Sequence, residues 1–161
     1  MKVMRKLVVA RHAKSAWPEG VDDAERPLNE RGRRDAPRIG AWLAEHVPEL
    51  DLVICSPAER ARQTWDLTRA GLPREPRVHY QRRVYGASVA DLLLVVQSLP
   101  NVARAVLLVG HNPGVSELVY ALGGGQVDMK TSGLAVLSSD AEWRWWREGT
   151  AQLVDTATPR G

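Results

Sequence analysis

Short apolar runs, each closed by polar residues, recur along the chain. Lys6–Ala10 (KLVVA), Leu52–Cys55 (LVIC) and Ala105–Val109 (AVLLV) are almost continuously apolar and rich in β-branched side chains. Runs of that length and kind predict strands buried on both faces. Between them the apolar positions change to a helical period. Ala36, Ile39, Leu43 and Val47 recur every three or four residues, which predicts a helix from a cap at Asn29 to about His46. Pro37 inside it predicts a kink or a delayed regular part.

The same reading continues downstream. Ser56 predicts a helix cap, with Pro57 in the first helical position and Glu59 completing a capping box, and Gly71 and Pro73 mark the end. Arg77–Tyr80 is a weaker strand. Ser88 caps a helix whose apolar positions are Val89, Leu92, Leu93, Val96 and Leu99. Asn112-Pro113 opens a helix to about Leu122, ended by Gly123–Gly125. Leu134–Leu137 and Glu142–Trp146 predict an antiparallel hairpin around Ser138–Ala141, which would put Trp143 and Trp145 on one strand face and Trp146 on the other. The stretch from about 150 to 161, with Thr156, Thr158, Pro159 and Gly161, reads as a loose tail. Alternating strands and helices predict an α/β fold: one three-layer domain over residues 1–161, a mostly parallel sheet flanked by helices, with an antiparallel hairpin near the C-terminus.

Composition narrows the classes. The 161 residues are 44% hydrophobic and 25% charged, with net charge +3. No stretch is long and apolar enough for a membrane span. The apolar run after Met1–Arg5 is too short for a secretory signal and reads as the first strand, so a cytoplasmic location is expected. Lysine occurs only at Lys2, Lys6, Lys14 and Lys130, and the other basic residues are arginine, interspersed with Asp and Glu. A nucleic-acid binder would carry a denser basic patch. The single cysteine, Cys55, excludes an internal disulfide and reads as a buried, inert thiol.

The polar closures of the strands carry the chemistry. Arg11-His12 follows the first run, Ser56-Pro57-Ala58-Glu59-Arg60 the second, and His111 the third. In a parallel α/β sheet the carboxyl ends of the strands share one edge, where ligands bind. Arg11, His12, Arg60 and His111 would meet there, and two imidazoles with two guanidiniums suit a dianion such as a phosphoryl group. Taken singly, each has a bland reading: a solvated loop histidine, a surface helix arginine, a histidine bonded to backbone at a strand end. Ser15, Asn112, Lys14 and Tyr85 are secondary candidates for phosphate or substrate contact, although Asn112 also reads as a helix cap and Tyr85 as a structural aromatic. His46 and His79 read as structural or solvated. No Walker loop and no HExxH spacing occurs, so neither a metal nor a cofactor is expected.

Arg11-His12, Ser56-Pro57-x-x-Arg60-x-x-Gln63-Thr64 and Gly110-His111-Asn112-Pro113, in that order, resemble the histidine phosphatase superfamily. The RHAKS and RPLNERG segments resemble its small SixA-type branch of phosphohistidine phosphatases. The resemblance implies His12 as nucleophile, a phosphohistidine enzyme intermediate hydrolysed by water, and Arg11, Arg60 and His111 around the transferring group. It implies a metal-independent phosphatase whose partner is a phosphorylated protein. A small phosphate ester as substrate, or a non-catalytic module that binds a phospho-ligand, are the competing readings.

Two departures from the family pattern stand out. Alanine (Ala13) follows the histidine where glycine is usual. The stretch Arg82–Ser88 lacks the carboxylic acid that many relatives place before the middle helix, which leaves Asp22, Asp23 or Glu25 of the first loop as possible substitutes. An ester must have its leaving alkoxide protonated, whereas a phosphoramidate needs less help, so this absence favours phosphohistidine. Trp143, Trp145 and Trp146 read as core packing, or as a docking surface, and Arg31, Arg33, Arg34 and Arg38 as a solvated helix face.

Overall fold

A computed structural model describes residues 3–161; Met1 and Lys2 lie outside the described residues. The apolar runs form the centre of one sheet. Its strands are β1 (Arg5–Arg11), β2 (Leu52–Cys55), β3 (Arg77–Tyr80), β4 (Ala105–Gly110), β5 (Leu134–Ser139) and β6 (Gln152–Ala157), in the order β3-β2-β4-β1-β5-β6. β3, β2, β4 and β1 pair in parallel, while β5 runs antiparallel to β1 and to β6.

Helices α1 (Glu30–His46) and α2 (Glu59–Arg69) cover one face; α3 (Val89–Gln97) and α4 (Gly114–Val119) cover the other. The pleat explains how one strand serves both layers, because successive side chains point to opposite faces. Val8 and Ala10 pack with Ile39, Leu43, Val47, Ala61 and Trp65, while Leu7 and Val9 pack with Leu92, Val96, Val115 and Leu118. Each fully buried leucine here contributes about 1.5–3 kcal/mol of transfer free energy. The expected three-layer α/β architecture is therefore present.

Local expectations fare unevenly. Asn29 caps α1 by accepting from the Gly32 amide, and Pro37 sits inside a helix that begins at Glu30, so it does not delay the regular part. Ser88 and Asp91 form a reciprocal capping box at α3. The predicted capping box at Ser56 is absent: α2 begins at Glu59, its cap position is Ala58, and no side chain caps it. The Ser56 hydroxyl is engaged elsewhere, as described below.

The C-terminal expectations need two corrections. Trp143–Trp145 is a 3-10 turn and not a strand. Its i, i+3 spacing puts Trp143 and Trp146 on the same side, both buried, with ring centroids 4.8 Å apart, while Trp145 is exposed. Their indole N–H groups donate to Ala103 O and Ala141 O. The strand that pairs with β5 is β6, within the stretch read as a loose tail. β6 is an edge strand with mostly exposed side chains, and a strand of that kind lacks the apolar pattern by which buried strands are recognised.

Candidate active site

The parallel register sets the frame. Ala10 and Arg11 of β1 lie opposite Val109 and Gly110 of β4, and Cys55 of β2 lies opposite Val109. The His12 amide bonds Gly110 O at 3.1 Å and the Ser56 amide bonds Val109 O at 3.0 Å, extending both pairings by one residue. His12, Ser56 and His111 thus leave three adjacent strands at the same edge. The imidazole rings of His12 and His111 have their centroids 5.1 Å apart.

The two rings are held in defined protonation patterns. His12 is 6% exposed, and its Nδ1 lies 2.7 Å from Ala13 O. A carbonyl only accepts, so Nδ1 carries the hydrogen and Nε2 keeps its lone pair. Burial first, then the neighbouring His111, Arg60 and Arg11 charges, push the His12 pKa down to about 3 against the pull of Ala13 O. The ring is neutral at physiological pH.

His111 is held through Nε2, which lies 2.7 Å from Ser56 Oγ. That oxygen accepts from the Ala58 amide at 3.2 Å, and the fully buried hydroxyl has no other acceptor among the described residues; directing its hydrogen at Nε2 satisfies it, and in that tautomer Nδ1–H of His111 is left over. This Nδ1 is buried without a hydrogen-bond partner. Burial and the nearby Arg60 push the His111 pKa down to about 4.

The guanidiniums complete the cluster. Arg60 is 6% exposed in the first turn of α2. Its Nη1 donates to Asp23 O at 2.7 Å and its Nη2 to Asp23 Oδ2 at 3.0 Å. Arg11 donates from Nη1 to Met129 O, and burial lowers its pKa, with Asp128 opposing. Nε of Arg11 and Nε of Arg60 are both buried without partners. Nε of Arg11, Nε of Arg60 and Nδ1 of His111 are thus three buried nitrogens of this cluster without partners, each costly to leave unsatisfied.

Asp23, named only as one of three acidic possibilities in the sequence, is the hub of the rim. Besides Arg60, it accepts from Tyr85 Oη at 2.6 Å and from Arg26 Nε at 3.2 Å. The Tyr85 bond first, then Arg60 and Arg26, hold its pKa down to about 2; the same bond raises the Tyr85 pKa. Asp23 is therefore a fixed carboxylate and a poor proton donor. The edge of the Tyr85 ring faces His111 with centroids 5.6 Å apart. Asp22 and Glu25 make no such contact with Arg60.

The remaining sequence candidates fall differently. Ser15 accepts both terminal nitrogens of Arg26 and so braces the rim. Asn112 is not the cap of α4, whose cap position is Pro113; its Nδ2 donates to Met129 O and its Oδ1 accepts from Ser116. Lys14 is exposed, and what it supplies is its backbone carbonyl, which accepts from the Asn29 amide. His46 bonds Trp42 O and stacks on that ring. Cys55 is buried with its thiol pushed up to about 12 by desolvation, an inert group as expected.

The loop that carries His12 is pinned by residues whose motif was visible but whose work was not. Thr64 Oγ1 accepts from the Ala13 amide, and Gln63 Oε1 accepts from the Leu28 amide. Both ends of the 13–28 loop are thereby tied to α2. Ala13 packs in a small buried cluster with Leu28 and Ala36 and keeps an ordinary negative φ, so the alanine fits where relatives have glycine. Gly32 matters more, since a Cβ there would collide with the Lys14 carbonyl.

A groove of about 960 Å³ is lined by Glu117, Tyr120, Asp128 and Glu148 among others, and by none of His12, Arg60 and His111. Its carboxylates have the wrong sign for a phosphoryl group. Among the described residues no three His, Cys, Asp or Glu side chains assemble as a metal site, and no helix is long and apolar enough to cross a membrane.

Comparison with known proteins agrees with this geometry. The sequence pattern of the histidine phosphatase superfamily, branch 1, matches residues 7–83. An uncharacterized protein of Mycobacterium tuberculosis strain H37Rv is 37% identical over 161 residues, covering 93% of this chain and 99% of that protein. A solved structure from Nakamurella multipartitia, described as a candidate phosphohistidine phosphatase SixA, superposes with a TM-score of 0.88 at 32% identity over 97% of this chain and 96% of that one. The protein histidine phosphatase SixA complexed with tungstate shares the fold, with a TM-score of 0.83 at 24% identity, over 96% of this chain and 97% of that one.

Proposed function

Because this chain belongs to the histidine phosphatase superfamily, in its SixA-type group, and is thereby a phosphatase, we propose that it removes phosphoryl groups from phosphohistidine in proteins with His12 as the nucleophile. The observation that carries this reading is the pairing of a neutral His12, lone pair on Nε2, with a His111 that has an unpartnered Nδ1–H, their ring centroids 5.1 Å apart. Phosphoryl transfer asks for little else: an in-line nucleophile and positive charge on the equatorial oxygens.

In the proposed sequence, Nε2 of His12 attacks phosphorus as the P–N bond to the substrate imidazole breaks. Arg11 and Arg60 hold the equatorial oxygens by charge-assisted bonds. His111 donates from Nδ1 to a third oxygen, with the Ser56 hydroxyl holding its Nε2. Water then attacks the phosphohistidine formed on His12, releasing inorganic phosphate. Tungstate bound to the SixA relative is a tetrahedral oxyanion of the required shape.

Two features favour phosphohistidine over esters. The acidic side chain at the rim, Asp23, is held ionised, so it does not protonate a leaving alkoxide. Among the strand-to-helix connections at this sheet edge only residues 12–29 are long, the others spanning 56–58, 81–88 and 111–113, which suits a site open to a side chain displayed by another protein. No metal step is needed in this sequence.

The test is to mix the protein with a phosphohistidine donor labelled on phosphorus, quench in alkali, and map the label. Label on His12, lost on acid treatment, is the expected result, together with higher kcat/KM on phosphohistidine than on a panel of phosphate esters. Turnover with label on another residue removes His12 as nucleophile. Faster turnover of esters identifies a small-molecule phosphomonoesterase, and binding without turnover identifies a non-catalytic module.

A further inference from the structure

We propose that Asp23 selects the leaving group: its carboxylate accepts a hydrogen bond from the far N–H of a phosphoimidazolium, so that the P–N bond breaks to release a neutral imidazole. The proposal rests on the phosphohistidine reading above. Its basis is the placement of Asp23 relative to His12. His12 is deep, at 6% exposure, whereas the Asp23 side chain is about half exposed, at 52%. A nucleophile at the bottom of the site drives the leaving group outward along the line of attack, toward the rim where Asp23, Tyr85 and Arg26 are joined.

A lone-pair account shows that Asp23 retains capacity. A carboxylate offers about four acceptor sites. Oδ2 takes Arg60 Nη2 and Tyr85 Oη, and Oδ1 takes Arg26 Nε. One site on Oδ1 is left on a half-exposed group. Arg26 also stacks over the Trp17 ring at 3.4 Å, and Trp17 is 78% exposed. A negative acceptor and a flat aromatic surface, joined by one arginine, suit a planar cation.

The bookkeeping of protons closes without an external acid. A phosphoimidazole protonated on its far nitrogen already carries the hydrogen it needs. When P–N cleaves, the electron pair goes to the near nitrogen and the ring leaves neutral. An ester has no second nitrogen, so its oxygen leaves as an alkoxide unless an acid protonates it. A fixed carboxylate at the rim favours the first substrate and does nothing for the second.

The experiment compares wild type, Asp23→Asn and Asp23→Ala on two probes, N-phosphoimidazole and the alkyl ester glycerol 2-phosphate, across pH. The expected result is that both variants lose about tenfold more kcat/KM on N-phosphoimidazole than on the ester. The basic limb of the kcat profile on N-phosphoimidazole moves to lower pH, because the bound substrate no longer has a partner that holds its proton. Equal losses on both probes with an unmoved basic limb overturn the proposal and leave Asp23 as a positioning residue for Arg60. The wild-type protein alone reports on the parent reading: slower turnover of N-phosphoimidazole than of the ester removes phosphohistidine as the substrate class, whatever the variants do.

Discussion

Nε2 of His111 lies 2.7 Å from Oγ of Ser56, and the hydroxyl that makes this bond is fully buried at the start of the segment leading into α2. Ser56 Oγ also accepts from the Ala58 amide, and its hydrogen has no acceptor other than Nε2 among the described residues, so the buried hydroxyl favours the His111 tautomer with its own hydrogen on Nδ1. Ser56→Ala is expected to release the ring into a mixture of tautomers. A loss of about tenfold in kcat follows from a donor present only part of the time, with little change in KM. Imidazole nitrogen NMR checks the tautomer directly, and Ser56→Thr should restore both. An unchanged nitrogen spectrum in Ser56→Ala means the hydroxyl serves only the Ala58 amide.

Thr64 is the corresponding anchor for His12. Its Oγ1 accepts from the Ala13 amide and donates to Arg60 O, so one hydroxyl joins the segments that carry His12, the proposed nucleophile, and Arg60. Thr64→Val keeps the shape and leaves a buried N–H unpaired, at a cost of about 1–3 kcal/mol. Chemical denaturation should show that loss, and activity should fall with it because His12 is adjacent. Wild-type activity in a folded Thr64→Val protein contradicts this coupling.

Gly32 is the residue on which the loop and helix α1 close together. A methyl group there meets the Lys14 carbonyl, which also receives the Asn29 amide. Gly32→Ala gains helix propensity of at most about 1 kcal/mol, but the collision with backbone should outweigh it, giving net destabilisation of about 1–3 kcal/mol. A rise in thermal midpoint is the result that would refute this.

Stability should depend on acid pH through the two imidazoles. Their folded pKa values, about 3 for His12 and about 4 for His111, lie below the ordinary value near 6.5. Between those limits the unfolded chain binds more protons than the folded one, so stability rises with pH across this window and falls as pH drops from about 6.5 toward 3. The combined effect is on the order of a few kcal/mol. Denaturation curves at pH 7 and pH 4.5 measure it, and His12→Gln should remove its share of the slope. Asp23 adds a smaller loss at lower pH, its folded pKa of about 2 being below the usual carboxylate value.

The convergence of His12, Arg60 and His111 was legible in the sequence because each follows a strongly apolar strand, and parallel strands leave no choice about which edge their ends share. Asp23 could be named only as one possibility, since its partners Arg60 and Tyr85 are 37 and 62 residues away, and no local pattern records such a pairing. Ser56 was misread because a serine before proline and glutamate carries the signature of a cap, and the alternative partner, His111, is 55 residues distant. The tryptophans were misread for another reason: Trp143 and Trp146 satisfy a three-residue period as readily as a strand, and burial decided between them. β6 escaped notice because an edge strand needs backbone pairing more than apolar side chains.

In the resting site the fork of Arg60 is already occupied by Asp23. Inorganic phosphate held through the free Nε of Arg60 therefore departs from a guanidinium that has kept its internal counter-ion, and not from a bare buried cation. Release is eased by that standing counter-charge, so product should clog this enzyme only weakly, and Asp23→Ala should make inorganic phosphate a stronger competitive inhibitor than it is of the native protein.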